Sequence, residues 1–379
     1  MKLFLIAGEP SGDKLGAALM EGLKSLAPGV EFAGIGGPLM QAQGMQSLFP
    51  MEELSIMGIA EVLPKYFDLK RRITQSAAAA LAFGPAALIT IDSPDFCLRV
   101  AKIAKQTQPT LRTIHYVAPS VWAWRPGRAA KMAKVIDHVM ALLPFEPPYM
   151  TAAGMTCDFV GHPVVSEPVA SKADGQAFRA VHSIAPDVPL IAVLPGSRKA
   201  EISRLAPRFG DVVAQIIAKH PTARILIPTL QSQSALVRDV TQNWPGNPVY
   251  LQAPSPTDRA AAFTAADAAL AASGTVSLEL AAQSCPMVIA YDLNRLTYWL
   301  MRKMALIETV TLVNLVTKTR TVPEFLGERC LADLIAPAVL HLLVNDGSQT
   351  DAMKQTMQLL GQGGDAPGLR AARSVLAIL

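Results

Sequence analysis

Short apolar runs alternate along this chain with longer stretches in which apolar positions recur at helical spacing. Leu3–Ala7 is the first run and breaks off at Gly8; Lys14–Ser25 after it reads as a helix. Val30–Ile35 and Ala87–Ile91 are further strand-like runs, a helix is expected through Phe96–Lys105, and Leu111–Tyr116 and Val135–Leu143 continue the series. Strands that alternate with helices in this way predict parallel βαβ units.

The pattern stops at Gly161-His162-Pro163 and stays broken to Pro168. It restarts with Leu190–Leu194, Ala223–Ile227, Val249–Leu251, Ala268–Ala271 and Pro286–Tyr291. The expected fold class is therefore α/β, with two Rossmann-like lobes facing a cleft, over residues 1–165 and 166–345. A C-terminal helical tail is expected over 346–379, its last helix set off by the run Gly361–Gly368. Chains of this architecture often return that helix to the first lobe.

Composition narrows the class. With 379 residues, 51% hydrophobic and 17% charged, the chain can bury a large core and is not of the disordered type. A net charge of +4 suits phosphate-bearing ligands or an anionic membrane face, but no long Lys/Arg stripe points to nucleic acid. The four cysteines are scattered and read as reduced residues of a cytosolic protein. No apolar stretch reaches membrane-spanning length, so the expected location is cytoplasmic, with any membrane contact peripheral.

In the first half, Gly8-Glu9-Pro10-Ser11-Gly12-Asp13 lies between a strand and a helix, where open α/β sheets bind ligands. It is neither a Walker A loop nor a GxGxxG turn, and Ser11 or Asp13 could equally serve as a helix cap. Asp92, directly after an apolar strand, can act as a general base toward a sugar hydroxyl or as a turn residue. Trp122, Trp124 and Arg125 in His115–Arg125 suit a sugar face and its phosphate, or anchor a core loop.

In the second half, Gly196-Ser197-Arg198 follows a strand and can offer backbone N–H groups and a guanidinium fork to a diphosphate. Ser273-Gly274-Thr275 precedes a helix whose free N–H groups favour phosphate. Glu279, one turn in, can accept hydrogen bonds from ribose hydroxyls or simply stabilise the helix start. No metal site is expected, because the six histidines are dispersed and Asp92 with Asp95 lacks a third ligand. A cofactor is likewise not called for.

Read in order, these segments resemble the lipid-A-disaccharide synthases, through nearly the whole chain. The resemblance also runs through Gly34–Met40, Met51-Glu52-Glu53-Leu54-Ser55-Ile56-Met57-Gly58-Ile59, Gly161-His162-Pro163 and Asn314. It departs from the family pattern at Pro10, Cys97 and Val313. It implies a GT-B glycosyltransferase with an acceptor-binding first lobe and a UDP-sugar-binding second lobe. The implied donor is UDP-2,3-diacylglucosamine and the implied acceptor 2,3-diacylglucosamine 1-phosphate, joined β-1,6 with inversion in lipid A synthesis.

On that reading Asp92 is the expected base, with Glu9 and Asp13 as rivals and His115 a weaker one. Arg198 steadies the leaving diphosphate and Asn314 positions a substrate. Gly196, Ser197, Arg198, Ser273, Gly274, Thr275 and Glu279 bind UDP, while Ser11, Gly12, Asp13, Trp122 and Arg125 face the acceptor. The apolar stretch Leu54–Ala60, followed by Lys65, Lys70, Arg71 and Arg72, is the candidate contact with the inner leaflet, or else core. A homodimer is left open. A UDP-sugar 2-epimerase and a non-catalytic UDP-sugar-binding protein are the competing functions.

Overall fold

The computed structural model describes residues 1–54, 59–292, 304–344 and 346–379, without the side chains of 59–66 and of 346. Residues 55–60 of the proposed membrane stretch thus lie outside the described side chains. The chain forms two compact units: Met1–Val165 with Gly363–Leu379, and Ser166–Gln362.

Unit 1 is built on a six-stranded sheet, every pair parallel, in the order β2-β1-β3-β4-β5-β6. The strands are β1 (Lys2–Ala7), β2 (Glu31–Ile35), β3 (Ala87–Ile91), β4 (Arg112–Tyr116), β5 (His138–Ala141) and β6 (Thr156–Phe159). β3 and β5 are wholly buried, as helices covering both faces require. The helix Pro10–Leu26 covers one face with Leu15, Leu19, Met20 and Leu23, and the helix Pro94–Thr107 covers the other with Phe96, Val100 and Ala104.

Unit 2 repeats the architecture in the order β12-β11-β10-β7-β8-β9, again all parallel. Its strands are β7 (Leu190–Leu194), β8 (Arg224–Thr229), β9 (Val249–Gln252), β10 (Ala268–Ala271), β11 (Met287–Tyr291) and β12 (Glu324–Leu326). The long helix Lys199–Lys219 buries Ile202, Leu205, Phe209, Val212 and Ile216 against the sheet, an apolar stripe at helical spacing.

In both sheets the strand order reverses beside the first strand, between β1 and β3 and between β7 and β10. Such switch points open a crevice at the carboxyl ends of the strands.

The tail expected as one piece from 346 divides at Gly363. The helix Thr350–Leu359 stays in unit 2, where Gln349 before it bonds both the amide and the carbonyl of Met287 at 2.9 and 2.8 Å. Only the helix Pro367–Ala377 belongs to unit 1, where it packs along Pro10–Leu26. Ser374 fixes it there, with its hydroxyl 2.8 Å from both His138 Nε2 and Asp158 Oδ2. Two strands, β6 and β12, are additional to those expected.

Candidate functional site

At the unit 2 switch point a cavity of about 650 Å³ opens over the ends of β7 and β10. The register pairs Leu194 with Ala271, and the Ala272 amide donates to the Leu194 carbonyl at 2.9 Å, so both loops leave the sheet side by side. All of the expected nucleotide residues line the cavity: Gly196, Ser197 and Arg198 from one loop, Ser273, Gly274, Thr275 and Glu279 from the other. Gly196 has φ +120°, and a Cβ there would lie 2.8 Å from Cβ of Glu201, so the turn requires glycine.

The Ser197 amide is not offered outward, as the sequence suggested. Glu201, in the first turn of the helix Lys199–Lys219, accepts from both the Ser197 and Arg198 amides through Oε2 at 3.3 Å. Tyr291 donates to its other oxygen at 3.0 Å. The Arg198 guanidinium sits 3.5 Å from Glu201 Oε1 with its side chain 65% exposed, a loose pair screened by water. Arg259 and Glu201 also line the cavity, and sequence reading singled out neither for ligand binding. Both stand at helix starts beside a strand-end loop, the one signal that could have found them.

In unit 1, Ala7, Ile91, Tyr116 and Met140 lie in register across four strands, so the following residues emerge along one edge. Asp92 is half-buried there, and its amide donates to the Tyr116 carbonyl at 3.0 Å. Asp92, Ser93 and Val117 take φ of +53°, +44° and +84°. For a β-branched residue such as Val117 this is an outlier, and strain of this kind gathers at functional sites. Glu9 is half-buried at the cap of the helix Pro10–Leu26, which starts four residues earlier than the pattern suggested because Pro10 suits a first helical turn. Ser11 is exposed in that turn, whereas Gly12 is buried, and a Cβ added there would lie 3.4 Å from the Ile91 carbonyl oxygen.

Four of the expected site residues are buried and bonded to the protein itself. Asp13 is 3% exposed, and its carboxylate accepts the amides of Gly37, Leu39 and Met40 at 2.9, 3.0 and 3.0 Å. Asn314 is 1% exposed and spent internally, donating to the Val322 carbonyl at 2.9 Å and accepting its amide at 3.0 Å. These bonds close the loop from the helix Leu312–Thr317 to Val322. Trp122 is a core anchor, its indole N–H on Glu146 Oε1 at 3.2 Å and its ring edge-on to Phe145. His115 is buried inside the sheet 2.7 Å from the Thr90 hydroxyl, and burial pulls its pKa down to about 4.

The aromatic–basic pair that reaches the surface is instead half-buried Trp124 with exposed Arg125, whose guanidinium lies 4.3 Å over the ring. Glu146 is the one carboxyl in unit 1 with a markedly raised pKa among the described residues. Burial pushes it up to about 7, against the donors Leu143, Trp122 and Leu142.

Two doubly wound parallel units, the second with a cavity at its switch point, define the GT-B fold class. Solved structures agree on the fold. The chain superposes on UDP-GlcNAc 2-epimerase of Neisseria meningitidis with a TM-score of 0.64 at 11% identity, over 100% of this chain and 99% of that one. MurG of Acinetobacter baumannii gives 0.57 at 13% identity, over 100% and 98%. At such identities the likeness is one of fold alone.

The sequence model of the lipid-A-disaccharide synthetase family matches residues 3–372, and this chain belongs to that family. It is 55% identical to the lipid-A-disaccharide synthase of Ruegeria pomeroyi, covering 99% of this chain and 95% of the relative. The corresponding enzyme of Rhodospirillum centenum is 46% identical over 100% and 94%. The chain is thus an enzyme, a glycosyltransferase of lipid A biosynthesis.

Proposed function

We propose that the chain transfers a 2,3-diacylglucosamine unit from UDP to the 6-hydroxyl of 2,3-diacylglucosamine 1-phosphate, with inversion to a β-1,6 bond. The observation that carries this reading is the unit 2 cavity, which gathers every residue expected to bind UDP at one switch point. Glu279 accepts the ribose hydroxyls, and Ser273–Thr275 with Arg198 face the diphosphate.

In the chemical step the acceptor oxygen bonds to the anomeric carbon as that carbon's bond to the diphosphate oxygen breaks. Asp92 takes the hydroxyl proton, and UDP leaves with the bonding pair, its new charge met by Arg198. Glu9, Ser11 and Arg125 contribute to the acceptor side.

The acyl chains are met by peripheral contact with the inner leaflet. Among the described residues no helix is long and apolar enough to cross a membrane. In support, Phe67 is 80% exposed beside the exposed Lys70 and Arg71. Arg72 is otherwise engaged, paired with Glu53 and stacked over Phe49, and Leu54 packs on the unit 1 core. Incubating the protein with both lipid substrates tests the reading. A disaccharide and UDP are expected; inversion at C2 of the donor sugar, or binding without turnover, would overturn it.

A further inference from the structure

A second arginine of the unit 2 cavity is placed against the usual electrostatics of its helix. Arg259 stands near the start of the helix Pro256–Ala265, where a cation opposes the helix dipole. That start is held firmly: the Ser255 hydroxyl accepts the Asp258 amide at 3.1 Å and donates to the Asp258 carboxylate at 2.7 Å. The Arg259 guanidinium therefore leaves a fixed base, and it reaches across the cavity wall to Glu279, with Nη1 3.2 Å from Oε2. Glu279 in turn belongs to the first turn of the separate helix Val276–Ala282. Both side chains stay about a third exposed, 34% and 28%, on the cavity side.

We infer that Arg259 is a positioning residue for ribose recognition: it holds the Glu279 carboxylate in the orientation that accepts the ribose hydroxyls. This rests on the assignment of the cavity to UDP. A carboxylate has about four lone-pair sites, so a single contact from an arginine on one flank fixes the group without using up its capacity to accept.

Calorimetry with UDP and 2′-deoxy-UDP on the full-length protein tests this. The unaltered protein should prefer UDP. Arg259→Met should weaken UDP roughly tenfold, as for loss of a hydrogen bond to a charged group, while 2′-deoxy-UDP changes little, so that the preference disappears. Arg259→Lys should restore part of it, and adding Arg259→Met to Glu279→Gln should cost little more. Equal weakening of both nucleotides by Arg259→Met would mean contact with the phosphates and would overturn the inference. If the unaltered protein binds UDP without preferring it, the role of Glu279 fails and this inference with it. If it binds neither nucleotide, the cavity assignment itself fails.

Discussion

Gly8 and Ser93 touch where β1 and β3 end: a Cβ on Gly8 would lie 2.6 Å from the Ser93 hydroxyl oxygen and 3.1 Å from its Cβ. That contact brings the turn carrying Glu9 against the turn carrying Asp92. Gly8→Ala should therefore cost about 1–3 kcal/mol of stability by overpacking and reduce turnover with it. Ser93 has φ +44°, which glycine adopts without strain, so Ser93→Gly should rescue most of the loss in the double variant. Urea denaturation of the two single variants and the double checks this. A Gly8→Ala protein as stable and active as the parent would show that the turns are not packed together.

Asp92 is the group on which the proposed chemistry depends. Its backbone is held at φ +53°, a conformation asparagine tolerates as readily, so Asp92→Asn removes the base while keeping the turn. Loss of a general base typically costs ~10²–10⁴ in rate, and kcat should fall by about that much. UDP affinity should hardly change, since Asp92 belongs to unit 1 and the residues assigned to the nucleotide belong to unit 2. Near-full turnover in the variant would exclude Asp92 and move the search to Glu9. Asp13 ranks behind Glu9, since its carboxylate already accepts three amides.

The Asp13 carboxylate is structural, and its removal should be felt as stability. Asp13→Ala leaves the Gly37, Leu39 and Met40 amides without their acceptor in a buried place. The expected cost is roughly 2–4 kcal/mol, given the desolvation penalty of unmet donors. Chemical denaturation measures it directly. A variant that is fully stable but inactive would return Asp13 to the catalytic candidates.

Asp13 also shows where a sequence stops being legible. Its place after a strand–turn was readable, but the three amides that claim it belong to the start of the helix Pro38–Ala42, more than twenty residues further on. Asn314 and Trp122 show the same limit: their type suits a ligand, and only the fold reveals their bonds to Val322 and Glu146. Strands buried on both faces, such as Ala87–Ile91, announce themselves by unbroken apolar runs. β6 and β12 do not, because an edge strand carries polar residues such as Asp158 and Glu324. The unit 2 cavity was legible as a whole because its residues follow two strands that adjoin in the sheet, and strand-end turns in α/β sheets are where ligands bind.

Glu146 makes stability depend on pH in a direction opposite to most carboxylates. Burial raises its pKa from 4.5 to about 7, so the fold favours its protonated form. The stabilisation it gives is complete below about 4.5 and is lost as pH rises through about 7. Glu146→Gln keeps the size and an oxygen for the Trp122 indole but cannot ionise. Unfolding free energies of parent and variant should therefore diverge with pH. Between about 4.5 and about 7 the parent should lose roughly 2–4 kcal/mol relative to the variant. Urea titrations at the two ends of that window, followed by the tryptophan fluorescence, provide the measurement. A constant difference between the two proteins would mean that Glu146 keeps one protonation state throughout and that its burial is offset by the amides of Leu142 and Leu143.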